Sequence, residues 1–299
     1  MAAVAALGAC RDAPRHAPIR GDAAAGQRPR DFGDTPPAPR WRAELASAAA
    51  EPLTWAVGPR VRATVRVASS AVGAVELDPM TGAVVARDPD APRPPPRPAD
   101  EMGVLRANGL ACRLGRAALR CAGATGAWSA PIEPAIDAGG AGPVAAGGAV
   151  AVVADEALIA FAAGDGRRLW RAPGRYATAP GALAADAAGR LRAIAVDGGA
   201  QPVAIVPATG AVAARGDRVP ALVVWAAAFA PDGAAAVVVR RDASLRRDAV
   251  VAFGADGRRR WTWPLPPPDG ARVDRPGVAV ADGAVFVFYD GRSVARLDL

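Results

Sequence analysis

From residue 41 onward the chain is a succession of short apolar runs punctuated by glycine turns. The clearest stretch, Leu158 to Trp170, reads as an apolar strand, a turn closed by Asp165-Gly166, and a second strand ending in tryptophan. An Asp-Gly pair supplies the positive φ that a tight hairpin demands. Val250 to Trp261 repeats this stretch almost position for position, and in both copies the tryptophan falls four residues after the turn glycine. Weaker copies run over Val75 to Ala86 (Thr81-Gly82), Ala204 to Ala214 (Thr209-Gly210) and Leu119 to Trp128. The last carries Thr125-Gly126, and its tryptophan arrives two positions early.

The turn glycines at 82, 126, 166, 210 and 257 are spaced by 44, 40, 44 and 47 residues. A period in the low forties with several strands per unit is the mark of propeller blades. The two ends of the repeated region complement one another. Trp41 to Leu45 looks like the second half of a unit, and Val294 to Leu299 looks like a first half. Counting from Trp41 through 86, 128, 170, 214 and 261 to the end gives six intervals. The expected fold is therefore all-β: six four-stranded blades over 41–299, with seven as the alternative. Pairing of the N- and C-terminal strands would close the ring and remove an exposed edge. A competing reading makes Trp41 the start of an Ala-rich helix through Ala50, ended by Pro52.

Other segments add detail. Phe229-Ala-Pro-Asp-Gly233 resembles a turn of TolB-type and WD-type propellers. Val278 to Val280, Ala284 to Tyr289 and Val294 to Leu299 read as a three-strand meander with Asp-Gly turns between them. The Pro-rich segment Pro89 to Pro98 lacks ladder donors and is expected to project as a loop. Cys112 and Cys121 flank a hairpin; with Arg116-Ala117 at its centre they face one another and a disulfide is geometrically allowed. Two reduced, buried thiols are the other reading.

Residues 1–10 end in Leu7-Gly8-Ala9-Cys10, which resembles the lipobox of bacterial lipoprotein signals, with Cys10 as the acylated residue. A basic n-region is absent and the apolar stretch is short, so the match is partial. Residues 11–40, rich in Pro, Arg, Asp and Gly, cannot bury enough apolar surface to order themselves and are expected to form a flexible tether.

Composition narrows the chemistry. All 36 basic residues are arginine, and Ala, Gly and Pro abound, the bias of a GC-rich genome. The net charge of +7 is accordingly discounted as a sign of nucleic-acid binding, because the arginines are spread along turns and strand ends. The single histidine, His16, lies in the tether, which excludes a His-based triad or zinc site within the repeats. No assembled acid–base, cofactor or metal set is apparent, so no catalytic, cofactor-binding or metal residue is expected.

The segments around Gly166 and Gly257 resemble the PQQ-like propeller repeat, in which a strand, a Thr/Asp-Gly turn and a tryptophan recur. The resemblance implies that Trp41, Trp128, Trp170 and Trp261 staple each blade to its neighbour, and that units ending at Ala86 and Ala214 are held less firmly. It implies two functional classes. One is a non-catalytic, lipid-tethered scaffold of the bacterial cell envelope, similar in kind to BamB-type lipoproteins, monomeric and binding an envelope protein partner. The other is a degenerate quinoprotein or sugar-processing enzyme. The chain departs from quinoproteins in its length, its six units and its lack of an adjacent Cys-Cys pair.

Overall fold

The computed structural model describes residues 36–44, 51–57, 59–66, 72–88, 101–107, 109–133, 140–242, 247–266, 276–289 and 293–299. All belong to one compact unit, Asp34–Leu299. Cys10, His16, most of the expected tether, the Pro-rich segment and the Asp290-Gly291 turn lie outside the described residues.

Strand β1 (Trp41–Glu44) comes first. Blade 1 follows with β2 (Glu51–Val57), β3 (Val61–Arg66), β4 (Val72–Leu77) and β5 (Val84–Asp88). Blade 2 has β6 (Glu101–Ala107), β7 (Leu110–Gly115), β8 (Ala118–Gly123) and β9 (Gly126–Pro131). Blade 3 has β10 (Gly140–Ala146), β11 (Ala149–Ala154), β12 (Ala157–Ala162) and β13 (Arg168–Arg171). Blade 4 has β14 (Leu183–Ala185), β15 (Leu191–Ala195), β16 (Gln201–Ile205) and β17 (Val212–Arg215). Blade 5 has β18 (Val223–Phe229), β19 (Ala235–Asp242), β20 (Arg247–Phe253) and β21 (Arg259–Pro264). Blade 6 has β22 (Gly277–Ala281), β23 (Ala284–Tyr289) and β24 (Ser293–Asp298).

Blades 1 to 5 are antiparallel meanders, each paired in chain order. Blade 6 takes its fourth strand from the other end of the chain: β1 pairs antiparallel with β24, Trp41 opposite Arg296 and Ala43 opposite Val294. The fold is thus a six-bladed propeller whose last blade is completed by the first strand. The helical alternative is not adopted at residues 41–44. Pro52 sits inside β2 at a bulge between Pro52 and Thr54, the kind of position where a strand tolerates a missing N–H.

The core lies between blades. Inner strands such as β11, β15, β16 and β23 are buried at every position. Continuous apolar runs are what a sheet covered on both faces requires. Leu114, Leu119 and Cys121 of blade 2 pack on Val150, Val152 and Ile159 of blade 3. Leu158 and Ala160 pack on Leu191 and Val203 of blade 4, and Ile194 on Val237 and Phe253 of blade 5. Val238 and Trp261 pack on Val285 and Leu297 of blade 6, and Phe286 and Val294 pack on Val61 and Leu77 of blade 1. These clusters cover five of the six blade boundaries. Among the described residues no such cluster joins blades 1 and 2.

Candidate functional site

Four tryptophans occupy one recurring position on the outermost strands. The indole of Trp128 (β9) lies on Gly166 of blade 3 and donates Nε1–H to Ala163 O at 2.9 Å. Trp170 (β13) does the same to Gly210 and Pro207 O of blade 4, at 2.6 Å. Trp41 (β1) lies on Gly82 and bonds Pro79 O of blade 1, at 3.1 Å. Trp261 (β21) is buried and donates to Asp298 O, at 2.8 Å, where the last residues of β24 stand in for the turn. Glycine is needed under three of these rings: a Cβ at Gly82, Gly166 or Gly210 would lie 2.4–2.7 Å from indole carbons, and all three have φ between +71° and +75°.

Gly126 does not belong to this set. Among the described residues, its chain neighbours aside, no heavy atom lies within 4 Å of where its Cβ would stand. The β8–β9 hairpin is short, with Gly123 opposite Gly126 and no register shift. The hairpins β4–β5, β12–β13, β16–β17 and β20–β21 each carry a bulge. Trp128 therefore reaches its place opposite Cys121, as Trp170 does opposite Ala160, with fewer residues in between.

Blade 4 has no tryptophan to offer blade 5, and backbone takes its place. Gly216 abuts Gly257 so closely that a Cβ on Gly216 would lie 2.4 Å from the Gly257 carbonyl oxygen. Asp217 N donates to that same oxygen at 2.9 Å, and its carboxylate accepts from Arg259 N at 2.8 Å. A second fastener lies on the inner side. The carboxylate of Asp186, 1% exposed, accepts from Arg190 N, Arg190 Nε and Arg192 Nε at 2.8–2.9 Å. The Arg192 guanidinium fills the space beside Gly233, where a Cβ would stand 2.3 Å from Nη2. Ala187 N donates to Pro231 O at 2.7 Å. The Phe229-to-Gly233 turn is thus the seat on which blade 4 rests. Burial pushes the Asp186 carboxyl up, but the hydrogen bonds from Arg190 and Arg192 outweigh it and hold its pKa below the usual carboxylate range.

Cys112 and Cys121 lie opposite one another on β7 and β8 and are joined by a disulfide, with Cα atoms 4.1 Å apart. Their sheet is unlike the others. β7 and β8 alternate strictly, burying Cys112, Leu114, Leu119 and Cys121 against blade 3 and exposing Ala111, Arg113, Arg120 and Ala122 on the other face. Such alternation leaves one face for solvent. On that face Arg113 stands directly opposite Arg120, with Val104 and Ser129 continuing the same rung across β6 and β9. Arg106, on the neighbouring rung, faces Ala111. A cleft of about 980 Å³ opens over this face and includes Val104, Arg106, Arg113, Arg120 and Trp128 in its lining. On blade 1, β5 is exposed along its whole length, and Met80, Val84 and Val85 there, like Val104 on blade 2, are exposed apolar side chains.

Sequence reasoning did not single out this face, although its signal is present. Leu-Ala-Cys-Arg-Leu and Leu-Arg-Cys-Ala alternate, whereas β11 (Ala-Val-Ala-Val-Val-Ala) and β12 (Ala-Leu-Ile-Ala-Phe-Ala) of the next blade are unbroken apolar runs. Among the described residues no group of three or more His, Cys, Asp and Glu is placed to hold a metal ion.

No protein-family model and no curated protein matches the chain. Solved structures similar to it are propellers of low identity. The WD40 domain of Neurospora crassa Pan2 shares 12% identity at a TM-score of 0.44, over 84% of this chain and 79% of that one. BamB from Moraxella catarrhalis shares 14% at a TM-score of 0.39, over 88% of this chain and 91% of that one.

Proposed function

We propose that this propeller is a non-catalytic, membrane-tethered scaffold of the bacterial cell envelope that binds a protein partner. The observation that carries this reading is the contrast between blade boundaries. Among the described residues five are packed with apolar side chains, while blade 2 turns an exposed, arginine-bearing face to a cleft. A sheet face left uncovered on a rigid ring is a place for recognition. The disulfide Cys112–Cys121 fits an oxidising compartment such as the periplasm. The lipobox-like Leu7-Gly8-Ala9-Cys10 supplies the anchor in this reading, with residues 11–40 as the tether.

Intact mass of the protein extracted from membranes tests the anchor: a diacylglyceryl-modified Cys10 is expected, and an unmodified N-terminus contradicts it. Cross-linking in the native envelope tests the partner. Pyrroloquinoline quinone with calcium, added to the purified protein, tests the enzymatic alternative. The scaffold reading expects no change in melting temperature, and a saturable rise favours the quinoprotein reading.

A further inference from the structure

We propose that the joint between blades 1 and 2 is an ionic seam, the place where salt loosens the ring. Alternation along the strands assigns the faces. Val75 and Leu77 of β4 are buried against blade 6, so Ala74 and Glu76 look the other way, toward blade 2. Their partners continue that face: Arg62 on β3 stands opposite Glu76, and on β5 Ala86 stands opposite Glu76 and Asp88 opposite Ala74. Across the joint, Cys112, Leu114, Leu119 and Cys121 are buried against blade 3. Arg113 and Arg120 therefore look toward blade 1, as does Arg106 on the neighbouring rung of the same side.

Blade 2 thus brings three arginines to a joint where blade 1 brings Glu76 and Asp88, and their heights match as well as their signs. The recurring tryptophan position is held by Ala86 on blade 1 and Trp128 on blade 2. Counted from it, the Arg113–Arg120 rung stands one step along its strands, Glu76 lies on the starting rung, and Asp88 lies two steps along. The arginine rung falls between the two carboxylates. With alanine at residue 86 the indole staple is missing from this position.

The joint is also wet. Arg62, Asp88, Arg106, Arg113 and Arg120 are exposed, whereas each of the other five boundaries carries an apolar cluster. Asp88 and Arg113 each engage a partner, and Arg62 pairs with Glu76 at 3.7 Å. Attraction between hydrated charges is weak and is screened by salt, while apolar burial does not rest on charge. One joint of six is therefore tuned by ionic strength. This seam belongs to the ring itself and does not depend on the scaffold reading.

The test is hydrogen–deuterium exchange of the full-length protein, read by mass spectrometry in about 0.01 M and about 1 M sodium chloride, where the screening length is ~30 Å and ~3 Å. Amides of β5 and of β7–β8 are expected to exchange about threefold or more faster at high salt, the scale of one or two exposed ion pairs. Those of β11 and β16 should keep their rates. Glu76→Lys/Asp88→Lys should bring the fast exchange to low salt, and adding Arg113→Glu/Arg120→Glu should restore the slow rate. Melting temperatures taken alongside show whether each variant is folded; if one is not, the salt comparison on the unsubstituted protein decides. Exchange in β5 and β7–β8 that ignores salt overturns the proposal. So does a rise shared equally by all blades, or a folded charge-swapped protein that does not regain protection.

Discussion

The indole of Trp170 lies so close over Gly210 that a single added methyl there would meet Cδ2 at 2.7 Å, while Nε1–H reaches the carbonyl of Pro207 at 2.6 Å. One side chain thus joins blade 3 to blade 4 by apolar contact and by a hydrogen bond to a turn that offers its backbone. Removing the ring loses both. Trp170→Ala is expected to cost about 3–5 kcal/mol, the range for deleting a large aromatic, measured by denaturant unfolding. Gly210→Ala should destabilise as well, since φ is +73° and the ring is in the way. Gly164→Ala, with nothing near its Cβ position and no positive φ, should be close to neutral.

Blades 4 and 5 meet through glycines. Gly216→Ala would drive a methyl to 2.4 Å from Gly257 O and 2.8 Å from Pro202 Cγ, so backbone must move. A loss of about 1–3 kcal/mol is expected, as for overpacking elsewhere. An unchanged unfolding midpoint would remove this joint from the account.

Asp186 gives the molecule an acid-sensitive fastener. Its folded-state pKa is depressed, so its ionised form contributes stability that is fully present above the unfolded value of about 4. That stability fades as pH falls through the lower, folded value. Asp186→Asn should flatten this part of the stability–pH curve. Asp186→Ala strands the 8%-exposed Arg192 side chain without its carboxylate and should cost about 3–5 kcal/mol. Urea melts between pH 2 and pH 7 check both.

The Cys112–Cys121 bridge closes a short loop, the two cysteines being 9 apart in sequence. Chain-entropy reasoning gives it about 2–3 kcal/mol. Reduction should lower the melting temperature without changing the β-sheet signature of the far-UV circular dichroism spectrum. A mass showing two free thiols in the untreated protein would contradict the bridge.

Much of this architecture can be read from the chain because it is carried by local chemistry. Asp-Gly and Thr-Gly turns, unbroken apolar runs and a tryptophan at a fixed offset each specify a piece of one blade, and repetition does the rest. The pairing of Trp41 with the C-terminal strand was visible as two half-units. Gly126 sits at the turn its spacing predicts, and Trp128 arrives two positions early because this hairpin lacks the bulge that the others carry. The expectation of weaker joints after Ala86 and Ala214 came from the missing aromatic. At Ala214 that expectation overlooked Gly216 against Gly257 and the Asp186–Arg192 pair, long-range contacts between units that share no local pattern. Phe229-Ala-Pro-Asp-Gly233 is legible in the sequence as a propeller-like turn, while its role as the seat for Arg192 depends on the neighbouring blade. The exposed face of blade 2 is written in the alternation of β7 and β8, and the unbroken burial of strands such as β11, β16 and β23 makes that alternation meaningful.

Closure of the ring by β1 on β24 is the relationship on which the rest depends, and Ala43 opposite Val294 offers a direct measurement. In an Ala43→Cys/Val294→Cys variant, oxidation followed by digestion and mass spectrometry should yield one linked peptide joining residues 43 and 294, with a raised melting temperature. Two free thiols at these positions in the folded, oxidised protein would contradict the closed propeller.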